Sequence, residues 1–376
     1  MVRKLKEKEL LYITFINIES PPDSGSAVRP LKMLQAFKEL GVQVKVISGQ
    51  TNRIQERKLA VKEAMDYLKL HSPDFCYIEP PSGPMFYSGD LNLIRLLHRQ
   101  NIPTGLFYRD AYWMFPEYSF ETKLSLIKWL KFIVIRAMQK HQLKIFTKCI
   151  TVMYFPSKTM SGFFKLKRKE LLPPGCFLAD TYCKKAFNNP LHYIFVGGAA
   201  INHGTVLTLE AFTMANRKEI IATLTYVCPK EQWKRLGINV QNYRPWLTLV
   251  HTSGDENLKI LYDKADVAIL TAPRTTYRDF AAPIKLMEYL SYLKPILVTN
   301  CTETARIISE NHIGWVVEEN SQSICDKLLE LADNPDEIHE IKKGIESARE
   351  KNLWIHRAEK VIYDLDNTVS STLSTE

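Results

Sequence analysis

The chain has no apolar run approaching the ~18–20 residues that a membrane-spanning helix requires. It has no CxxC pair; its seven cysteines, at 76, 149, 176, 183, 228, 301 and 325, lie mostly in apolar stretches. An odd, unpaired set excludes a disulfide framework, and a structural zinc site needs paired ligands at short spacing. Buried, reduced thiols are the expectation. Glycine is scarce, 15 in 376 residues, and few turns are left that can cradle a phosphate. There is no GxxxxGK[ST] loop and no clean GxGxxG, since Gly25 stands alone in its loop and GGAAINHG is a poor match. A nicotinamide, flavin or P-loop site is therefore not indicated. A DxD pair stands at Asp364 and Asp366, near the tail, and no such carboxylate pair occurs in a loop suited to hold a metal.

What is present describes an ordinary globular chain. The hydrophobic fraction is 45% and the charged fraction 24%, which excludes a disordered or collagen-like protein. A length of 376 residues fits two domains. The start, MVRKLKEKELLYITFINI, is basic and then apolar like a signal peptide. Its apolar part is short, carries Asn17 and Glu19 and lacks a small-residue cleavage site, so it reads as a first strand. The Lys- and Ile-rich, Gly-poor composition is compatible with a bacterium of low genomic GC.

The positive charge is concentrated. The chain carries +9 overall, while residues 121–170 hold twelve Lys and Arg against two acids. The run KLSLIKWLKFIVIRAMQKHQLKIF interleaves these bases with Leu, Ile, Trp and Phe, as a basic amphipathic helix does. Such a helix either lies on an anionic membrane surface, here through residues 123–148, or packs in the core with an exposed Lys face. No nucleic-acid motif accompanies it, and no nucleic-acid partner is expected.

Short apolar runs alternate with helical patterns throughout. LLYITFINI, VQVKVISG, DFCYIEP, PTGLFYRD and KCITVM read as strands of a first half. HYIFVGG, IATLTYVC, LTLVHT, DVAILTA and PILVTN read as strands of a second. Helical spacing lies between them in PLKMLQAFKEL, AVKEAMDYLKL, LNLIRLLHR, TVLTLEAFTMA, ENLKILYDK and APIKLMEYLSY. The alternation argues for α/β architecture with two doubly wound parallel sheets. The junction falls near LLPPGCFLADTYCKKAFNNP. Open parallel sheets take ligands at the carboxyl ends of their strands, which predicts a cleft enzyme.

The segments YIFVGGAAINHGTVLTLEAF, LKILYDKADVAILTAP and DFAAPIKLMEYLSYLKPILVTN, in that order, resemble the donor half of glycosyltransferase family 4 enzymes. KMLQAFKELGVQVKVISG, FYRDAYWMF, LLPPGC and NLWIHRAEKVI resemble the acceptor half, the linker and the C-terminal helix. The resemblance implies the GT-B fold, with two Rossmann-like domains facing across a cleft. It assigns residues 1–175 to acceptor binding and 188–353 to nucleotide-sugar binding, with a helix at 354–369 crossing back to the first domain. It implies a hexosyltransferase that moves a sugar from a nucleotide-sugar donor to a hydroxyl of a glycan or lipid-linked acceptor. Transfer would retain the anomeric configuration and need neither metal nor cofactor, in cell-surface polysaccharide or glycoconjugate synthesis. The expected location is the cytoplasm, peripheral on the inner face of the cell membrane.

The PIKLMEYL block carries the sharpest chemistry. Pro283 starts a helix, and the amides of Ala281, Ala282 and Ile284 would face an anion at its N-terminus. Lys285 adds a cation where the helix dipole disfavours one, which a diphosphate partner would explain. Glu288 lies on the same face and would hold a ribose through its hydroxyls, the role of the second Glu in the family's Glu-x7-Glu pattern. The other reading is an exposed i,i+3 ion pair. Eight residues before Glu288 stands Phe280, with Asp279 one position off, where the family has its sugar-binding Glu. The family's Arg and Lys for the diphosphate fall on Gly198 and His203, after Gly197. A protonated His203, Arg274 or Arg278 would have to replace that charge. These departures leave a second class open: a non-catalytic GT-B subunit that binds acceptor or stabilises a partner transferase.

In the first half, Asp110 ends a strand beside Arg109, Tyr112 and Trp113. Aromatic faces with a carboxylate suit a sugar, with Asp110 orienting the acceptor hydroxyl and Arg109 binding a phosphate. An Arg–Asp ion pair at a strand end is the alternative. Gly25 and Ser26 either approach the diphosphate by backbone or form a plain turn.

Overall fold

Twelve short strands, none longer than six residues, arrange as two wholly parallel six-stranded sheets in a computed structural model that describes residues 8–18, 25–115, 126–181 and 186–373. The expectations for Lys123, Cys183 and the side chain of Tyr112 fall outside the described residues. The chain divides into two compact units, one of residues 1–174 with 354–376 and the other of residues 175–353.

The first unit contains β1 (Glu9–Thr14), β2 (Gln43–Ile47), β3 (Phe75–Glu79), β4 (Thr104–Phe107), β5 (Val152–Phe155) and β6 (Lys169–Leu171). Their order in the sheet is β2-β1-β3-β4-β5-β6. β1, β3, β4 and β5 are buried almost throughout, which is why they read as continuous apolar runs. β6 was not foreseen; its three half-buried residues, Lys-Glu-Leu, carry no strand pattern. Helices Gly25–Glu39 and Trp354–Leu373 pack against each other on this unit. Helix Leu126–Cys149 packs along helix Ser88–Arg99. It buries Gln139, Gln142, Ile145, Phe146 and Cys149, all in its second half. Gln142 anchors it by exchanging two hydrogen bonds with the Met85 backbone, at 3.0 and 2.8 Å.

The second unit contains β7 (Leu191–Val196), β8 (Ala222–Val227), β9 (Leu247–Val250), β10 (Val267–Leu270), β11 (Ile296–Thr299) and β12 (Gly314–Val317). Their order is β12-β11-β10-β7-β8-β9. Two clusters fill the faces of this sheet. One gathers Tyr193, Phe195, Phe212, Tyr226 and Trp246, the other Ile194, Tyr262, Leu286, Tyr289 and Ile308. Each fully buried Leu, Ile or Phe contributes about 1.5–3 kcal/mol of burial.

The order matters for function. In each sheet the chain runs outward from a central strand in one direction and then returns to the other side. The reversal falls between β1 and β3 in the first unit and between β7 and β10 in the second. Loops leave in opposite directions at such a point, opening a crevice beyond the carboxyl ends of the two strands. Among the described residues no helix is long and apolar enough to cross a membrane. The six described cysteines are buried.

Candidate functional site

The crevice of the second unit lies beyond β7 and β10. After β7 the chain turns through Gly197–Ala200 and a short helix at Ile201–His203, then enters helix Thr205–Ala215. Gly204 makes that entry at φ +80°, and a Cβ there would sit 1.6 Å from the Thr271 carbonyl oxygen just past β10. Only glycine permits this approach. Gly198 is closely approached in a different way, since a Cβ would lie 2.4 Å from Nδ1 of His203 and the ring would have to move.

The other wall is the block after β10. A short helix, Thr276–Phe280, is capped by the Thr275 side chain on the Arg278 amide. Helix Ile284–Ser291 follows, with Pro283 as the residue preceding its first turn. The Tyr289 hydroxyl accepts from the Val196 amide at 3.0 Å and so ties this helix to the end of β7. Arg278 reaches across to the Asn202 carbonyl at 3.1 Å. The two walls are thereby fixed to one another.

Glu288 lies at this junction. Its Oε1 accepts from the Tyr262 hydroxyl at 2.7 Å and its Oε2 from Lys285 at 2.7 Å. The pair is neither sealed nor fully exposed, with 17% of the Glu288 side chain and 29% of the Lys285 side chain accessible. Tyr262 is buried and stacks on Tyr292, with ring centroids 4.2 Å apart. Burial, with the Glu288 charge in support, pushes its hydroxyl pKa far up, so it remains a donor to the carboxylate. Sequence reading found Lys285 and Glu288 and missed Tyr262 and Tyr289, which look like ordinary core aromatics.

The amides divide into two groups. Gly197, Ala199 and Ala200 donate to Val227 O, Gln232 Oε1 and Thr205 Oγ1. Ala281 donates to Tyr277 O at 3.0 Å, so its expected place among the anion-facing amides is corrected; it closes the preceding helix. The amides of Gly198, Ala282, Ile284 and Lys285 have no partner among the described residues. A helix start with open amides and a nearby cation favours an anion.

Three expectations on this wall are also corrected. Phe280 is 2% exposed and packs on Tyr277, so it cannot touch a sugar. Asp279, its neighbour, accepts from Thr302 N at 2.9 Å and from Arg274 Nε at 2.9 Å. That carboxylate caps the helix Thr302–Asn311 and neutralises Arg274, so neither is free for a diphosphate. His203 is half-buried, and desolvation lowers its pKa below 6.5; a hydrogen bond to the Gly198 carbonyl opposes this and the Arg278 charge adds to it. Its ring is neutral at neutral pH and supplies no fixed charge. Lys285 and Arg278 are the cations that remain.

The first unit has its own polar centre, beyond β1 and β3. Glu79 is fully buried at the end of β3 and binds Arg29 at 3.0 Å, Tyr77 at 2.8 Å and Arg109 at 3.4 Å. Arg29 lies over the Phe107 ring, 3.4 Å from its centroid, and also donates to the Leu172 carbonyl. Glu79 and Arg29 went unnoticed in the sequence. A Glu closing an apolar strand before Pro-Pro is the signal that could have found the first.

Asp110 stands three residues past the end of β4, in a loop rather than on the strand. With Arg109, Tyr108, Gln139 and Pro80 it lines a cavity of about 10 Å³, room for about one water. Trp113 is 4% exposed and donates to the Tyr108 hydroxyl at 3.0 Å, so it is a core residue and offers no stacking face. Gly25 and Ser26 belong to the first turn of helix Gly25–Glu39 instead of a loop. Among the described residues no group of three or more His, Cys, Asp and Glu could hold a metal ion.

Residues 184–348 match the sequence model of the family "Glycosyl transferases group 1". Sucrose-phosphate synthase from Thermosynechococcus elongatus has a similar structure, with a TM-score of 0.70 at 12% identity over 97% of this chain and 100% of that one. HepE from Anabaena, solved in complex with UDP and glucose, gives 0.61 at 10% identity over 96% and 100%. WaaG, a glycosyltransferase involved in lipopolysaccharide biosynthesis, gives 0.62 at 14% identity over 94% and 98%. No curated protein matches the sequence. The second unit therefore carries a group 1 glycosyl transferase domain within a chain of GT-B fold. By sequence over residues 184–348 and by fold over the chain, the protein is similar to glycosyltransferases.

Proposed function

We propose that the protein transfers a sugar from a nucleoside-diphosphate sugar to a hydroxyl of a glycan or lipid-linked acceptor, with retained anomeric configuration and without a metal. The observation that carries this reading is the set of open amides at Ala282, Ile284 and Lys285, at the start of the helix that holds the Lys285–Glu288 pair, with that of Gly198 after β7. Glu288 accepts the ribose hydroxyls in place of its bond to Lys285. Lys285 then turns to the diphosphate, and the amides share its charge. Stabilising the leaving group is the main task in breaking a glycosidic phosphate bond, because the transition state is oxocarbenium-like. Asp110 and Arg109 serve the acceptor side in this reading.

With Phe280 in the core and Asp279 occupied, no carboxylate at that position holds the donor sugar. Sugar hydroxyls are read by the backbone amide of Ala282 instead. This same departure favours the second reading, a GT-B subunit that has given up catalysis. The enzyme works on the cytoplasmic side of a membrane in cell-surface polysaccharide or glycoconjugate synthesis, with helix Leu126–Cys149 toward an anionic lipid surface.

The test is turnover of candidate nucleotide sugars, followed as nucleoside diphosphate released, with the anomer of the product read by proton NMR. Release that persists in EDTA and gives the donor's anomer supports the proposal. Loss of activity in EDTA, or inversion, contradicts it. Nucleotide binding without any turnover favours the non-catalytic subunit.

A further inference from the structure

His203 ends the short helix Ile201–His203 after β7, and the next residue, Gly204, is held against the Thr271 carbonyl just past β10. This places the ring at the crevice of the second unit. It lies against Gly198, with Nδ1 2.4 Å from where a Cβ on that residue would be. The Gly198 carbonyl accepts from the ring, and from the neutral Tyr226 hydroxyl at 3.4 Å. One ring nitrogen is thus committed to the backbone, and the other is left to titrate. The Gly198 amide has no partner among the described residues. Gly198, His203 and Arg278 are all partly accessible, so one ligand can reach the three of them.

The surroundings of the ring supply no counter-ion. From helix Lys230–Leu236, the neutral Gln232 approaches the same point, its Oε1 2.9 Å from the Cβ position of Gly198. The charged residues of that helix act on one another, Glu231 pairing with Lys234 at 3.1 Å. Helix Thr205–Ala215 offers the Thr205 hydroxyl, which donates to the Ala200 carbonyl at 3.0 Å. Helix Thr276–Phe280 offers Arg278, the one charge that bears on the ring among the described residues. Arg278 bonds the Asn202 carbonyl at 3.1 Å and makes no ion pair among those residues. A cation beside a desolvated imidazole keeps it neutral, and no carboxylate offsets that. An anion reaching this turn would meet the Arg278 guanidinium and the Gly198 amide, and would reverse the balance on the ring.

We propose that His203 couples donor binding to proton uptake: the Gly198 amide, Arg278 and His203 hold the diphosphate together, and the ring is an imidazolium only while the diphosphate is there. This rests on the nucleotide-sugar reading above and adds a protonation step to it. The proton comes from solvent, adds to the ring nitrogen that Gly198 does not engage, and returns to solvent when the diphosphate leaves. A fixed cation in this place would grip a nucleoside diphosphate equally at any pH. A titrating one loosens its grip as the pH rises, which favours release of the spent diphosphate. An opposite charge within about 4–6 Å favours the charged ring by a factor of about ten or more.

Calorimetric titration of the full chain with UDP, GDP, ADP and TDP, in two buffers of different ionisation enthalpy, counts the protons taken up on binding. At neutral pH the parent should take up about half a proton or more beyond His203→Gln. The terminal phosphate of the free nucleotide titrates too, and comparing parent with variant cancels it. From about pH 6 to about pH 8 the parent's affinity should fall about tenfold more than that of His203→Gln. His203→Lys carries a fixed charge and should bind without the excess uptake. Without any variant, one of the nine histidine ring resonances of the parent should titrate at higher pH when nucleotide is bound. Equal proton uptake in parent and His203→Gln, parallel pH dependence, or histidines that titrate alike with and without nucleotide would each overturn the proposal and leave the nucleotide-sugar reading standing. Absence of binding by all four nucleotides would sink that reading, and this proposal with it.

Discussion

The hydroxyl of Tyr262 donates to Glu288 at 2.7 Å from within the core of the second unit. It aims a mostly buried carboxylate from below while Lys285 holds it from the side. The carboxylate is thus oriented before any ligand arrives. Tyr262→Phe keeps the ring stacked on Tyr292 and removes only the donor. Nucleoside-diphosphate affinity should fall about threefold to tenfold, the worth of one hydrogen bond, with little change in melting temperature. An unchanged affinity would show that the orientation is immaterial.

The close approach at Gly204 should be intolerant of any side chain. Gly204→Ala combines a left-handed backbone with a collision at the Thr271 carbonyl. Strain of this kind costs on the order of 3 kcal/mol or more. Calorimetry should show the second unit melting earlier by at least about 5 °C. A variant as stable as the parent would mean that the loop is not held as described.

Glu79 should be structurally indispensable to the first unit. Glu79→Gln keeps the shape and leaves Arg29 buried with its charge uncompensated. Breaking one side of a buried pair costs about 3–5 kcal/mol. The expected result is a lower melting temperature for the first unit and none for the second. A shift confined to the second unit would contradict the assignment.

His203 makes stability depend on pH in a known direction. Its folded pKa lies below its ordinary 6.5, so the unfolded chain binds the proton more readily. Its contribution is present above 6.5 and is lost as the pH falls toward the folded value. On acidification the parent should lose more stability than His203→Gln. Parallel melting curves across that window would remove the burial argument.

Much of this was legible in the sequence, for identifiable reasons. Parallel strands buried almost throughout, such as FCYIE and LHYIFV, announce themselves as apolar runs. Lys285 and Glu288 stood out because a cation in a first helical turn asks for an explanation. β6 and the half-buried β12 gave no such pattern, and neither was foreseen. Phe280 and Trp113 were misplaced because aromatic residues near a motif suit a ligand and a core equally, and only packing decides. Asp279 was judged by distance from a family pattern, while its capping of Thr302 depends on a helix far along the chain. Arg29 and Glu79 are 50 residues apart and meet only once the sheet forms.

The most direct test of the central claim is calorimetric titration with UDP, GDP, ADP and TDP, on the parent and on Glu288→Ala. The account predicts micromolar binding of one of the four, weakened about tenfold to a hundredfold in the variant by loss of a charged hydrogen-bond acceptor. Absence of binding to all four, or equal binding by Glu288→Ala, would contradict it.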